Sequence, residues 1–457
     1  MRNSTFFVAF ATLAAQCALA NIFETNETQK ATLAFAGTWG RDAAAASSNV
    51  VWRRGLVADK AADTVTILAE ACDIAPGATV EFPIIGELSD RDYEAAFRTF
   101  AKPGDVAEAL ESLGLPRGTN VDTSKMRFWA IGERVAIEVR QLDSTNTAWR
   151  PIQSYMIDRA AGKAPAWDGF VYCGSPDDPQ DKAGRRLADT VAPNSILATY
   201  NEPQSVLDTP VVSSQSAVYE RFVLSPETPF KPFARYEIRF KPIRRADGKP
   251  RVVPLKRTFT NVDGRVVASD RTSSPASVLE IPDFLKSLHD MTAAGFDPCL
   301  EVSFGEDLTV LQAGVLARLL EKAENDGDVR IGPPPEDGFY YKGFMPNENW
   351  RDAKQRIAQP WEIHFQPTNA TPVRLVQTLE DWSDHNSLDP RLSAKEYSVG
   401  TPAEAAGTIA KGDAALPPNM RMAVALVFAP KDVALSAVMP TVRAILKTHP
   451  TIYVFQE

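Results

Sequence analysis

Histidine is nearly absent from this chain, with four among 457 residues: His289, His364, His385 and His449. No two stand at metal-ligand spacing, and neither His-Glu-x-x-His nor Cys-x-x-Cys occurs. A zinc site or a His-dependent triad would have to be assembled from scattered residues. Also missing are a Gly-x-Gly-x-x-Gly after a strand, a phosphate-cradling Gly-x-x-x-x-Gly-Lys and a Gly-x-Ser-x-Gly elbow. No cofactor or metal is therefore expected. An excess of positive charge is lacking too, since the formal net charge is -9. That argues against non-specific nucleic-acid binding, which replaces counterions with Lys and Arg. No segment reaches the ~20 apolar residues needed to cross a bilayer. Cysteine is limited to four residues.

Proline is what the chain has in excess. Its 34 residues exceed the usual share of about 5% and favour strands and rigid connections over long helices. The length suggests two to four domains, at roughly 150 residues each.

Residues 1–20 read as a secretory signal. Arg2 is the charged start, Phe6 to Ala15 is apolar, and Ala18-Leu19-Ala20 supplies the cleavage pattern. Cys17 raises a lipid-anchored alternative, but Gln16 stands where a small residue should precede a modified Cys. The expected location is periplasmic or extracellular, with no transmembrane helix once the signal is removed. Cys72, Cys173 and Cys299 then remain. Cys72 and Cys173 fall in one expected domain and are the candidate disulfide. The other reading is three small buried hydrophobes.

Residues 21–49 are Ala- and Thr-rich with weak periodicity and read as a loose entry segment. Residues 50–207 read as an α+β domain, an antiparallel sheet with a helix on one face. Lys102-Pro103-Gly104-Asp105 opens that helix, and Val106, Leu110 and Leu113 share its face. Gly114 and Pro116 end it. Met126–Ile131 and Arg134–Arg140 look like a hairpin turning at Gly132-Glu133, with Val135, Ile137 and Val139 on one face. Residues 208–233 form a Pro- and Ser-rich linker. A further domain, 234–367, opens with an expected hairpin: Tyr236, Ile238 and Phe240 point one way, and the return strand Arg251–Arg257 follows a turn at Asp247-Gly248. Leu300–Ile331 is then read as a β-α-β unit, whose helix carries Leu308, Leu311, Val315 and Leu319 as its buried stripe. The C-terminal domain, 368–457, holds a second such unit from Met422 to Phe455; Asp384–Pro418 between them reads as polar loop. Both units are taken as ferredoxin-like.

A family resemblance rests on specific residues. Asp92-Tyr93-Glu94, the run Lys102 to Gly118 with its Leu113-Gly114-Leu115-Pro116 exit, Trp149-Arg150-Pro151, Trp167, Gly174-Ser175 and Tyr200-Asn201-Glu202-Pro203 follow in that order. Over residues 51–207 the chain resembles the YdjY domain, a bacterial exported domain without an established activity. The resemblance implies export and domain limits, and supplies no catalytic residue. The two β-α-β units bear a fainter likeness to the periplasmic domain of ExbD and TolR proteins, whose membrane-spanning helix is not found in this sequence.

Few side chains suggest chemistry. Cys173-Gly174-Ser175 places a thiol at a strand end, but no His lies in that domain to activate it. Asp177, Asp178 and Asp181, and Asp384, Asn386 and Asp389, fall short of the six to eight oxygens that calcium takes. Trp149, Arg150 and Trp167 are candidate contact residues, since Trp and Arg anchor interfaces. Arg239, Arg244 and Arg251 belong to a basic ladder over 235–257 that is read as an anion- or glycan-binding face, or as a solvated strand face that blunts a sheet edge. The sequence thus favours a non-catalytic exported interaction or scaffold module, with an unknown protein partner or an acidic glycan. A carboxylate-dependent hydrolase of envelope glycans, which needs only two placed acids, stands as the enzymatic alternative.

Overall fold

The computed structural model describes residues 27–122, 127–142, 144–145, 148–270, 277–332, 339–345, 360–366, 373–383 and 389–457. The expected signal with Cys17, the stretch 333–338, the turn at 350–356, His385, Asp384 and Asn386 lie outside them. The class is α+β, and the chain divides into two compact units near Val252. No helix among the described residues is long and apolar enough to cross a membrane.

In chain order the first unit contains helices α1 (Glu27–Ala36) and α2 (Arg41–Ala46), then β1 (Val50–Arg53), β2 (Leu56–Asp59), β3 (Thr64–Ala71), β4 (Phe82–Ile85) and β5 (Ala95–Thr99). Helix α3 (Pro103–Ser112) precedes β6 (Arg134–Gln141), β7 (Arg150–Pro151), β8 (Met156–Asp158) and β9 (Phe170–Tyr172). Next come α4 (Leu187–Thr190), β10 (Ser195–Leu197), β11 (Leu207–Asp208), α5 (Gln215–Val218), β12 (Phe222–Leu224) and β13 (Arg235–Pro242).

Eight of these strands close on themselves. The order β3-β13-β6-β9-β11-β10-β4-β5 returns to β3 through the antiparallel pairing Ala69↔Thr99 to Ala71↔Phe97. This is a closed barrel rather than the expected open antiparallel sheet, and β4–β5 and β10–β11 run parallel within it. The alternation along β6 and β13 decides which side chains fill it. Val135, Ile137, Val139, Tyr236, Ile238 and Phe240 are buried in one core with Phe97, Tyr155 and Phe170. Tyr236 meets Phe97 and Tyr155 edge-on, at 5.1 and 6.4 Å between centroids.

The 235–257 segment is therefore not a hairpin. β13 is a central barrel strand, antiparallel to β3 on one side and β6 on the other. The segment after the Asp247-Gly248 turn joins a different sheet. The apolar row of β13 needs two neighbours to be covered, and a two-stranded ribbon would leave it wet. Nor is 208–233 a plain linker: it carries β11, α5 and β12, and Phe230 packs on the barrel core.

Two local expectations for the first unit hold and two do not. Helix α3 buries Val106 and Leu110, and ends with Gly114 at φ +86° while Leu115 N–H reaches back to the Leu110 carbonyl. The entry segment, by contrast, is helical. Ala36 of α1 packs with Leu68 and Phe100 on the outside of β3, and Thr32 donates to Glu70 at 2.8 Å. The 126–140 hairpin is replaced by isolated bridges at Thr119↔Ile131 and Asp122↔Arg127. Gly132 serves close approach instead of a turn, since a Cβ there would lie 1.9 Å from the Tyr172 carbonyl oxygen.

The second unit holds β14 (Val252–Val262), β15 (Arg265–Asp270), β16 (Ser277–Glu280), α6 (Ile281–Ala293), β17 (Asp297–Phe304), α7 (Val310–Asn325) and β18 (Arg330–Ile331). These form one sheet in the order β16-β15-β14-β17-β18. Then follow β19 (Phe344–Met345), β20 (Trp361–His364), β21 (Val373–Asp381), β22 (Arg391–Val399), α8 (Pro402–Ala414), β23 (Val424–Ala429), α9 (Leu435–Leu446) and β24 (Thr451–Gln456). Their sheet runs β19-β24-β23-β20-β21-β22. Both expected β-α-β units are present as parallel pairs, β17–β18 and β23–β24.

The expected stripe on α7 is rotated. Leu308 is buried, but Leu311, Val315 and Leu319 are 37–40% exposed, while Val310, Ala313, Leu316, Ala317 and Leu320 face the core. Small Ala side chains let the helix sit close to its sheet and leave the larger ones outside. The 384–418 loop contains β22 and α8. Strand β22 is exposed on both faces from Arg391 to Glu396, so it shows no apolar alternation, and α8 buries only Ala405 and Ile409.

Because Phe240 is fully buried between two partner strands, Phe240→Ala should cost the first unit about 3–5 kcal/mol. Denaturant unfolding should show that unit's transition shifted and the second unit's unchanged.

Candidate functional site

The cations read from the sequence lie on the barrel's outer wall and at one of its ends. On the wall, residues opposite each other in the β6–β13 register carry opposite charges: Arg140 faces Glu237, and Glu138 faces Arg239. Arg239 donates twice to Glu138, at 3.0 and 2.6 Å, and Arg140 donates through Nε to Glu237 at 2.9 Å. Strand β7 pairs with β6 and delivers Trp149 onto this ladder. Two guanidinium groups lie over its ring, that of Arg140 at 4.4 Å from the ring centroid and that of Arg239 at 4.0 Å. Trp149 and Arg239, singled out separately in the sequence, are thus brought together. Arg150 pairs its backbone with Val139 in the same register.

Trp167 has a packing role. It meets Phe170 and Phe222 edge-on at 5.6 and 5.4 Å, and its carbonyl accepts from Gln153. Its neighbour Asp168 receives Arg251 at 2.5 Å and lies 3.9 Å from Arg134.

Where β13 ends and β6 begins, beside the exit of α3, lies a cleft of about 240 Å³. Gly114, Leu115, Pro116, Glu133, Arg134, Arg244, Arg245 and Lys249 are among its walls. Most of these charges are matched. Arg244 makes a two-point contact with Asp63, at 2.7 and 2.8 Å, and also reaches the Leu113 carbonyl. Arg245 pairs with Asp247. Glu133 accepts from the Arg251 and Val252 amides. Lys249, exposed at the rim, makes no ion pair among the described residues. Of the six contact candidates only Arg244 lines this cleft. In the second unit Lys256 and Arg257 of the ladder likewise reach Glu301 and Asp270.

Cys72 and Cys173, read from the sequence as a candidate disulfide, are not joined to each other in the structure. They pack in separate clusters, Cys72 with Phe82, Ile85 and Tyr200, and Cys173 with Ala130 and Val171. Burial pushes the Cys72 thiol up to about 12. Ser175 is fully buried at φ +60°, and its hydroxyl accepts from the Ala188 amide. The preceding Gly174 carbonyl accepts from Arg186, which also binds Glu111 of α3 at 2.9 Å. The Gly-Ser pair thus ties β9 to α3. Asp177 pairs with Arg117, and Asp181 with Arg185, which holds the Asp181 carboxyl down at about 2. Among the described residues no group of three or more His, Cys, Asp or Glu is placed to hold a metal ion.

One group escaped sequence reasoning. Glu202 is 2% exposed, and the Ser195 hydroxyl donates to its carboxyl. Burial raises it to about 7, with the Ser195 bond acting the other way. Its only sequence trace was membership of Tyr200-Asn201-Glu202-Pro203, whose Asn201 donates to Asp208 at 2.9 Å.

No family model, curated protein or solved structure matches this chain.

Glu202 makes a signed prediction. Between its ordinary value of 4.5 and about 7 the folded chain holds a proton that the unfolded chain releases. Stability should therefore fall as pH rises through that window, by about 3 kcal/mol. Glu202→Gln, neutral at every pH, should flatten this fall in denaturant titrations run from pH 4 to 8. An unchanged slope would remove Glu202 as its source.

Proposed function

We propose that this chain is an exported, non-catalytic envelope or periplasmic protein that works as an interaction or scaffold module. The signal-like pattern of residues 1–20 and the resemblance of residues 51–207 to the YdjY domain support export. The observation that carries the interaction reading is β22. It is a nine-residue strand at the end of its sheet, exposed from Arg391 to Glu396. The strand itself exposes Leu392, at 58%, and Trp382, just after β21, is exposed at 50%. An open strand edge recruits an extended partner through its backbone groups, and nearby apolar side chains add selectivity. Arg391, Lys395 and Glu396 discourage indiscriminate pairing at that edge. Within this reading the two modules of the second unit are variants of the ferredoxin-like theme, supported by the parallel crossover in each.

A second reading, binding of an acidic glycan, draws its support from the cleft and from Lys249 at its rim. Glycan hydrolysis has less support there. It needs two carboxyl groups roughly 5–10 Å apart, and the cleft wall offers Glu133, which is already bonded to backbone amides.

Two experiments separate these readings. A photo-cross-linking residue at position 392 of the full chain, expressed in cells and read in envelope fractions, should give a discrete adduct that Trp382→Ala diminishes. The same residue at exposed Val262 should give none, and identical products at both positions would sink the interaction reading at β22. On a heparin column, Lys249→Ala should elute at lower salt than the parent if the cleft binds acidic glycans. Arg239→Ala should not, because Arg239 is spent on Glu138. Equal shifts for both variants would assign any retention to overall charge.

A further inference from the structure

The two sheets of the second unit are built alike. Each module runs β-β-β-α-β-α-β: β14, β15, β16, α6, β17, α7, β18 in the first, and β20, β21, β22, α8, β23, α9, β24 in the second. The sheet orders also correspond, β16-β15-β14-β17-β18 against β22-β21-β20-β23-β24, with β19 added at the last edge. The two modules thus share element order, strand order and connections throughout.

The modules meet through the same corner of each, where the strand hands over to the helix. Thr309, the N-cap of α7, and Ala434, the N-cap of α9, bridge each other. Around that bridge the backbone hydrogen bonds between the modules fall in matched pairs. Val310 N–H donates to the Val433 carbonyl, and Leu435 N–H donates to the Leu308 carbonyl. Leu311 N–H donates to Lys431, and Ser436 N–H donates to Glu306. Pairing Thr309 with Ala434 makes Leu308 equivalent to Val433, Val310 to Leu435, Leu311 to Ser436 and Glu306 to Lys431, so exchanging the modules maps each bond onto its partner. The supporting side chains agree, because Leu308, Val433, Val310 and Leu435 are all at most 3% exposed. That is the signature of an isologous contact, in which the same patch is used from both sides.

We propose that the second unit is a fused pseudo-dimer: the β17–α7 corner is a self-recognition surface whose partner is a second copy of the same module, and the chain supplies that copy in cis. The chemistry of recognition is specific. The first N–H groups of an α-helix have no partner inside the helix. Here the first two of each helix are satisfied by the loop before the other. The symmetry is broken in the side chains: Thr309 forms a capping box with Gln312, whereas its equivalent Ala434 has no side-chain cap. Arg443 of α9 pairs with Glu306 at 3.0 Å, whereas the equivalent positions hold two cations, Arg318 and Lys431. The corner is thus occupied internally, and the opposite sheet edges, β16 and β22, are left as the modules' outer strands.

Hydrogen exchange read at single amides in the full chain tests this. Val310, Leu311, Leu435 and Ser436 should exchange at least tenfold more slowly than Ala403, a first-turn amide of α8 without a hydrogen bond among the described residues. Val310→Pro keeps a residue suited to the first helical position but removes one donor. It should speed exchange at Leu435 and Ser436, in the other module, at least tenfold, whereas Val310→Ala should not. Exchange at Ile452 of β24 shows whether either variant remains folded. Should Val310→Pro unfold the unit, the doubly substituted chain Thr309→Cys, Ala434→Cys decides: bridged partners are close enough for a disulfide. Oxidation should join them within one chain, seen by mass spectrometry as a single disulfide-linked peptide pair spanning positions 309 and 434. Fast exchange at all four amides, an effect of Val310→Pro confined to the first module, or failure of the cysteines to join would each overturn the proposal.

Discussion

Leu68 is where the first unit becomes a barrel. Up to Ile67, strand β3 has β2 along one edge; from Ala69 onward the same edge belongs to β5. At the changeover Leu68 N–H donates to the Gly55 carbonyl, and the Leu68 carbonyl accepts from Phe100 N–H and the Thr99 hydroxyl. Gly55 makes this seam possible. It sits at φ +67°, and a Cβ on it would come within 3.1 Å of the Phe100–Ala101 backbone. Along its other edge β3 is paired with β13, so the ring depends on a strand contributed about 170 residues later (235 against 64). Closure leaves the barrel without free edges, which removes the commonest liability of a sheet.

That constraint reassigns the basic ladder. A strand held between two neighbours presents its outward row to theirs, and the outward rows of β6 and β13 are complementary in charge. Cross-strand pairs of this kind contribute roughly 0.2–1 kcal/mol each, and Trp149 lying over two of the cations shields them further. Arg239, Arg244 and Arg251 each have a carboxylate partner within the same unit. Charge left for a partner is accordingly small on the barrel wall, and the exposed features shift to the rim at Lys249 and to the β22 edge of the second unit.

The alternation of Tyr236, Ile238 and Phe240, and of Val135, Ile137 and Val139, was legible in the sequence, because it states which face is dry. So were the helix 103–112 with its Gly114 exit and the two parallel crossovers. What the alternation does not carry is the identity of the neighbouring strand. Asp247-Gly248 is a genuine turn, so pairing 235–242 with 251–257 was the local solution, and a distant partner overrode it. Gly132 reads as a turn residue but is required by the approach of Tyr172. Leu311, Val315 and Leu319 have perfect helical spacing, yet Ala313 and Ala317 occupy the core face, because close helix–sheet packing favours small residues. β22 was invisible because it buries neither face. Of the candidate site, Trp149 and Arg239 were found but not their union, and Glu202 left no signal beyond its motif.

The barrel depends on β13 as one of its walls, and ending the chain on either side of that strand tests this most directly. A chain ending at Val252 retains every strand of the ring, whereas one ending at Phe233 lacks β13 alone. Thermal unfolding followed by circular dichroism should show a single cooperative transition for the longer chain and none for the shorter, whose β3 and β6 have lost their shared neighbour. If the shorter chain melts cooperatively at the same temperature, β13 is an appendage and the barrel account is wrong.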